Sequence, residues 1–132
     1  MERGRFVSIE GPDGSGKSSV IKELAHLLWD QADRIVFTRE PGGSPIAEVI
    51  RELVLDPKHT AMDARTEALL IAASRRQHLV ETIIPAINDG KLVISDRFVY
   101  SSLAYQGIGR KIGIEEVWQI NQFAIEDWMP DL

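Results

Sequence analysis

The sequence predicts a three-layer α/β/α fold built on a parallel sheet. Three short apolar runs, at residues 6–9, 35–37 and 92–94, are separated by segments with helical periodicity, and parallel strands need crossovers of this kind. Each run stops at a glycine-rich or charged segment. Ligands bind at the carboxyl ends of the strands in such sheets, so these segments are candidate sites. No repeat or linker interrupts the chain, which predicts one domain over residues 1–132.

Two of the helical patterns predict buried faces near the first two strands. The pattern after the first run places Val20, Ile21, Leu24, Ala25, Leu27 and Leu28 on one face. After the second run, Ser44 and Pro45 form an N-cap and first-turn pair. The helix that they open is predicted to direct four apolar residues inward. These are Ile46, Val49, Ile50 and Leu53.

The remaining helical patterns flank the third run. A long one starts near Arg65 and contains Pro85, which predicts a kink or a tightened last turn. Two more follow near residues 100–106 and 114–128, separated by a glycine-rich loop around Gly107, Gly109 and Gly113. The sequence after the third run is therefore predicted to form two successive helices.

Composition restricts the class of function. Fifteen Lys and Arg against twenty Asp and Glu give a formal charge of −5, which disfavours nucleic-acid binding by bulk electrostatics. The chain has no cysteine, as expected for a reducing compartment. Neither a signal peptide nor a run long enough to span a bilayer is evident. We therefore expect a soluble cytoplasmic protein that holds any anionic substrate with a few locally placed cations.

Residues 11–18 fit the phosphate-loop pattern G-x-x-x-x-G-K-[ST] between a strand and a helix. Glycines let backbone N–H groups surround a phosphate, and Lys17 supplies a charge for the β- and γ-phosphates. The Ser18 hydroxyl is placed to bind Mg²⁺. The alternative is a glycine-rich turn with an unrelated lysine. The predicted ATP-binding set is Gly11, Pro12, Asp13, Gly14, Ser15, Gly16, Lys17, Ser18 and Ser19.

Charged residues at the other strand ends leave alternatives open. Asp13 lies inside the loop and is either a turn aspartate or a group facing Mg²⁺ or a sugar hydroxyl. Asp96 ends the third run, where a carboxylate can orient Mg²⁺, and Arg97 can approach a phosphate; the alternative is a surface ion pair. From residue chemistry alone, Arg51 and residues 75–78 are ordinary solvated charges. The histidines show no metal-ligand spacing.

Several segments together resemble bacterial thymidylate kinases, along the whole chain. The phosphate loop is shared by many families, whereas the other segments are more specific. These are Thr-Arg-Glu-Pro-Gly-Gly at 38–43, Asp-Arg-Phe at 96–98 and Ser-Ser-Leu-Ala-Tyr-Gln-Gly at 101–107. Residues 67–70 and 72–76 are similar to the family's long central helix. The resemblance implies a nucleoside monophosphate kinase-like fold of the P-loop NTPase type.

The resemblance implies an activity and a set of roles. The family transfers the γ-phosphoryl group of ATP to dTMP with Mg²⁺, usually as a cytoplasmic homodimer. By position, Lys17, Asp13, Asp96 and Arg97 are expected to be catalytic, and Ser18 and Asp96 to hold the metal. Arg51 and Arg97 would hold the acceptor phosphate, Arg75 would bond the thymine edge, and Tyr105 would pack on the deoxyribose. The implied substrate-binding set is Glu40, Arg51, Ile71, Arg75, Arg97, Ser102, Tyr105 and Gln106.

Two departures from the family pattern are visible. Ile71 stands where the family usually carries an aromatic ring that stacks on thymine, which loses roughly 1 kcal/mol of ring contact. The family also continues past Leu132 into further strands, an arginine-bearing lid and closing helices, so the 132 residues are expected to be an incomplete enzyme and a poor catalyst alone. The alternatives are another P-loop nucleotide or deoxynucleoside kinase and a non-catalytic ATP-binding module.

Overall fold

Three parallel strands form the centre of the molecule. The computed structural model describes residues 3–12 and 16–132. Strands β1 (Arg5–Ile9), β2 (Ile35–Arg39) and β3 (Leu92–Asp96) form one sheet in the order β1-β3-β2. Both pairings are parallel, which confirms the predicted α/β architecture. Ile9, Asp96 and Arg39 lie at the same level of the register, so the segments after the three strands emerge at one edge.

Helices connect and follow the strands. They are α1 (Lys17–Leu27), α2 (Pro45–Leu55), α3 (Ala64–His78), α4 (Ile84–Asn88), α5 (Val99–Ser102) and α6 (Ile114–Ile125), with a 3₁₀ segment at Trp29–Arg34 and π-helical segments at Leu79–Ile83 and Leu103–Gly109. Within residues 3–12 and 16–132, no helix combines the length and apolar character needed to cross a membrane.

Residues 64–88 are continuously helical, close to the predicted long helix. Asp63 caps the start, where its carboxylate accepts hydrogen bonds from Arg65 N and Thr66 N. The irregularity that Pro85 predicts is present, but its type is different. The turn at Leu79–Ile83 widens into π geometry rather than tightening. Because proline has no N–H, the ordinary α-helical bond four residues back is lost here, and the wider turn precedes that gap.

The two later helices also differ in detail from the prediction. Gly107 and Gly109 lie inside the π-helical segment rather than in a loop. The last helix ends at Ile125 instead of Trp128, because Glu126 adopts a left-handed backbone with φ of 54°. Trp128 N then donates to Ile125 O across a turn.

The principal core lies on one face of the sheet. Phe6, Val93 and Val36 are in register on that face, and both Phe6 and Val93 are fully buried. The ring of Phe98 meets Phe6 edge-on, with centroids 4.9 Å apart. Helical residues complete the cluster. They are Ala72, Leu79, Ile83, Ala86, Ile87, Val99, Ala124 and Ile125.

The inward faces predicted for α1 and α2 are largely wrong. In α2, Ile46, Val49 and Leu53 are exposed and Ile50 is half-buried. The buried residue is Ala47, whose small side chain lets α2 lie close to α3, and Ala47 O accepts from Ser74 Oγ at 3.3 Å. Helical periodicity identifies residues that share a face, but it does not say which face meets a neighbour.

The α1 face is also open in the described residues. Val20 and Leu27 are exposed, as is Ala25, whereas Ile21, Leu24 and Leu28 are half-buried. Lys17, at the first position of the helix, is the residue of α1 that is buried.

Candidate functional site

The end of β1 and the start of α1 form a phosphate-loop frame. Gly16 is the N-cap of α1, with a left-handed φ of 92° that favours glycine. Lys17 is only 9% exposed, and its ammonium pairs with the Asp96 carboxylate at the end of β3. Gly11 and Pro12 follow β1. The predicted site residues Asp13, Gly14 and Ser15 lie outside the described residues.

The oxygen atoms near Lys17 suit a hard divalent cation. Ser18 and Ser19 are exposed in the first turn of α1, and the Asp96 side chain is 31% exposed. A hydroxyl and one carboxylate, completed by water and phosphate oxygens, are the donors that Mg²⁺ prefers in nucleotide sites. Among the described residues no cluster of three or more His, Cys, Asp or Glu offers a self-contained metal cage. The residues present therefore fit a cation bound jointly with a nucleotide.

A cavity of about 610 Å³ opens beside this frame. Its walls are the segment after β2, the last turn of α2, one side of α3 and the helical segment 99–109. Seven of the predicted substrate-binding residues line it: Glu40, Ile71, Arg75, Arg97, Ser102, Tyr105 and Gln106. Arg51 is not among the lining residues. Its guanidinium instead donates from Nη1 to Pro41 O at 2.7 Å.

Arg75 is a buried wall residue rather than a solvated charge, with 2% of its surface exposed. Nε donates to Glu40 Oε1 at 2.5 Å. Nη1 donates to Ser102 Oγ at 2.8 Å and to Asn121 Oδ1 at 2.5 Å, and Nη2 donates to Phe98 O at 3.1 Å. Since a guanidinium carries five N–H donors, these four contacts leave one Nη2 N–H uncommitted among the described residues.

His78 is a second buried group in the 75–78 segment, which residue chemistry alone assigned to solvent. It is fully buried at the last position of α3, with Nδ1 2.8 Å from Glu40 Oε2 and Nε2 2.6 Å from Thr38 Oγ1. Glu40 is therefore bonded through one oxygen to Arg75 and through the other to His78. The available sequence signal was spacing, because positions 75 and 78 share a helix face.

Glycine residues give the segment after β2 its close fit. A Cβ on Gly43 would lie 2.3 Å from His78 Nε2 and 2.7 Å from Thr38 Oγ1, and its φ is 93°. Gly42, with φ of 113°, donates from its N–H to Ser74 Oγ at 3.2 Å. The Glu40–Pro41 peptide is cis. The two glycines therefore allow this segment to lie directly on α3.

Arg97 follows Asp96 in an unusual backbone conformation. Its φ is 75°, in the left-handed region that few arginines adopt. Arg97 N donates to Ile9 O at 2.9 Å, and Ser95 Oγ donates to Arg97 O at 2.8 Å. The guanidinium carbon lies 5.3 Å from the Tyr105 ring centroid, within cation–π range. These contacts direct Arg97 into the cavity while Asp96 meets Lys17.

Glu10 is a site-forming residue that the sequence prediction did not assign. Its Oε1 accepts from Phe98 N at 3.0 Å and from Ser101 N at 2.8 Å, at the start of α5. Its other oxygen accepts from Ser8 Oγ at 3.1 Å. One carboxylate thus fastens the end of β1 to the segment after Arg97. A partner 88 residues away leaves no local sequence signal.

Comparison with known proteins places these features in a family. The sequence profile described as Thymidylate kinase matches residues 9–132. A thymidylate kinase of Geobacillus sp. is 60% identical over 130 residues, which is 98% of this chain and 62% of the relative. One from Clostridium novyi is 56% identical over 132 residues, covering 100% of this chain and 64% of the relative.

A solved structure shows the same arrangement of elements. The crystal structure of thymidylate kinase from Ehrlichia chaffeensis superposes with a TM-score of 0.89 at 38% identity, over 98% of this chain and 74% of that one. The chain thus spans less than two thirds of the length of the two sequence relatives above. On the profile match, the sequence identities and the shared fold, the chain belongs to the thymidylate kinase family.

Proposed function

We propose that the protein transfers the γ-phosphoryl group of ATP to dTMP, giving dTDP and ADP, and acts in the cytoplasm. The observation that carries the proposal is the pair of adjacent residues at the end of β3. Asp96 meets Lys17 in the phosphate-loop frame, while Arg97 lines the neighbouring cavity. The triphosphate of the donor would bind in the phosphate-loop frame beside Asp96, and the phosphate of the acceptor would bind beside Arg97. Because these two residues are adjacent, the two phosphates would lie close together.

The proposed reaction is an in-line transfer without a covalent enzyme intermediate. A bond forms between γ-phosphorus and an oxygen of the dTMP phosphate while the bond from that phosphorus to the ADP oxygen breaks. The acceptor phosphate is already an anion, so little deprotonation is required, and the protein contributes positioning and charge stabilisation. Lys17 would leave Asp96 to contact the β- and γ-phosphates. Mg²⁺, held by Ser18 and Asp96 with the phosphates, would supply neutralising charge.

The cavity offers groups suited to a deoxynucleoside monophosphate. Arg97 supplies a planar fork for the acceptor phosphate, and Arg51 supports the same wall by fastening Pro41. Tyr105 lies against the Arg97 guanidinium. With the deoxyribose of dTMP packed on the Tyr105 ring, little room would be left for a 2′-hydroxyl on the sugar. Arg75 has one N–H available for a base carbonyl, with Ser102 and Gln106 beside it. Ile71 offers apolar contact to the base.

A homodimer is part of this proposal. The outward face of α2 carries exposed Ile46, Val49 and Leu53, and the packed neighbouring helical segment carries exposed Leu69 and Val80. We call these five residues the apolar patch. Exposed apolar side chains on neighbouring helices are often found at protein–protein interfaces, and a second copy of the chain is the partner that the family resemblance favours.

Two variants test the assignment of donor and acceptor positions. In the intact natural protein, Lys17→Ala should lower kcat by roughly 10² or more, because it removes a charge that stabilises the transferring group. Arg97→Ala should raise the KM for dTMP by about tenfold or more while leaving the KM for ATP nearly unchanged. Steady-state ADP release, measured with each substrate varied in turn, gives both values.

The same assay tests the choice of acceptor. ADP release is measured in parallel with dTMP, dUMP, UMP, CMP and thymidine, and dTMP should give the highest kcat/KM. Near-normal turnover by Lys17→Ala, or preference for another acceptor, would contradict the proposal. ATP binding without acceptor-dependent turnover by the intact protein would indicate a binding module instead.

A further inference from the structure

We propose that His78 is a positioning residue that holds Glu40, and through it Arg75, in the arrangement that presents the last Arg75 N–H to the nucleobase. The inference rests on the proposed function for its substrate, but its structural step can be tested without any nucleotide. His78 does not line the cavity and has no surface exposed to solvent, so any effect on substrate must pass through its neighbours.

The protonation of one imidazole nitrogen follows from its partner. Glu40 Oε2 lies 2.8 Å from Nδ1, and an ionised carboxylate can only accept hydrogen bonds. Nδ1 therefore carries a proton. Nε2 faces the Thr38 hydroxyl at 2.6 Å, which can donate or accept. The two bonds, from opposite sides of the ring, fix the orientation of the imidazole.

Glu40 transmits this orientation to Arg75. Each carboxylate oxygen has its own donor, Arg75 Nε at 2.5 Å and His78 Nδ1 at 2.8 Å. With both oxygens held, the carboxylate cannot rotate to meet Arg75 differently. The guanidinium is then fixed through Nε, and its other nitrogens reach Ser102, Asn121 and Phe98 O. Loss of the His78 donor would leave a buried carboxylate oxygen without a partner, which favours rearrangement of the Glu40–Arg75 pair.

A purely structural role for His78 is the rival explanation, because its ring also packs against Gly43. Two substitutions separate the roles. The side-chain amide of Asn can place its nitrogen near the position of Nδ1, whereas the longer Gln places its amide near the position of Nε2. His78→Asn therefore keeps a donor for Glu40, and His78→Gln keeps a partner for Thr38. Both introduce a neutral amide in a buried place.

The kinetic test compares these variants in the intact protein. We expect His78→Gln to raise the KM for dTMP by about tenfold with little change in the KM for ATP, because a bond to a charged group is lost. For His78→Asn we expect the KM for dTMP to stay within about threefold of the wild-type value, because the amide makes the same hydrogen bond with imperfect geometry. Equal dTMP KM values for the two variants would overturn the proposal, as would equal rises in the KM for both substrates.

The structural test needs no substrate. In ¹H–¹⁵N spectra of the wild type, Nδ1 of His78 should show the shift of a protonated nitrogen. The Arg75 Nε–H resonance should keep its position in His78→Asn and move in His78→Gln. An unprotonated Nδ1, or an Arg75 signal indifferent to both variants, would overturn the proposal. If the wild type did not phosphorylate dTMP, the function would be refuted while these spectra still decided the positioning role.

Discussion

Glu48 fixes the start of α2 through the backbone of the preceding loop. Its Oε1 accepts from Gly43 N at 3.0 Å, and Oε2 lies 3.3 Å from Arg39 Nη2. The hydrogen bond from Gly43 lowers the pKa of the Glu48 carboxyl most, partial burial opposes that shift, and the nearby Arg39 and Arg51 charges lower the pKa further. The folded state therefore favours the ionised carboxylate more than the unfolded chain does.

The sign of that shift predicts a pH dependence. A pKa lowered by folding gives stabilisation that is present above the unfolded pKa and is lost as pH falls through the folded pKa. The Glu48 side chain is 36% exposed, so we expect Glu48→Gln to cost only about 0.5 kcal/mol of unfolding free energy at pH 7. Urea unfolding of both proteins should show this difference shrinking towards acid pH. A difference constant with pH would contradict the assignment, since the Gln amide oxygen can still accept from Gly43.

At the scale of elements, Glu10 joins the end of β1 to the start of α5. Replacing Glu10 with Ala would remove the acceptor of two backbone N–H groups, at Phe98 and Ser101. Arg97, whose backbone has a φ of 75°, would then be followed by a residue, Phe98, that has lost its hydrogen bond to Glu10. We expect the KM for dTMP to rise by about tenfold in Glu10→Ala, and the Phe98 and Ser101 amides to exchange faster with deuterium.

Conservative replacement provides the control for this experiment. Glu10→Gln keeps an amide oxygen that can accept both N–H bonds, so most of the loss should be recovered. Ser8→Ala removes the hydroxyl that donates to the other Glu10 oxygen and should leave the dTMP KM near that of the wild type. Equal impairment in Glu10→Ala and Glu10→Gln would indicate that charge, rather than acceptance from the backbone, is what matters.

Helix types and ends were only partly predictable. Period and composition identified the helix over 64–88 and the break associated with Pro85, and the cap at Asp63 is a local feature. The π geometry at Leu79–Ile83, just before Pro85, was not predicted. Leu79 and Ile83 are both buried in the core, and these packing partners are not recorded in the local sequence.

At the scale of the whole molecule, the exposed apolar patch predicts association. Val49→Glu places a charge in the middle of the α2 stripe, where Val49 is 65% exposed. We expect the wild type to sediment as a dimer and Val49→Glu to shift towards monomer, because burying an unpaired carboxylate in an apolar interface is costly. Analytical ultracentrifugation over a range of concentrations measures the shift.

A matched variant controls for added charge. Gln31→Glu places one further carboxylate at an exposed position in the 3₁₀ segment, away from the apolar patch, and should leave the sedimentation unchanged. A wild type that is monomeric at all concentrations, or a Val49→Glu protein that remains dimeric, would remove the apolar patch from the proposal.

The sequence by itself determined the order in which strands and helices follow one another along the chain. It also determined that the phosphate loop follows the first strand. These depend on local periodicity and on glycine and lysine spacing, which short segments carry within themselves. The family resemblance also named seven of the residues that line the cavity. Asp13, Gly14 and Ser15, which lie outside the described residues, stay as sequence predictions.

Only the tertiary structure decided which helix faces are covered, that β3 lies between β1 and β2, and which donors of Arg75 are already occupied. It alone placed His78 and Glu10 beside the residues of the cavity wall, and it showed that Arg51 lies behind the lining, where its guanidinium donates to Pro41 O. The physical reason is range. A pattern along the chain records which residues share a face, whereas the partners of a buried charge come from elements dozens of residues away and are fixed only when those elements pack.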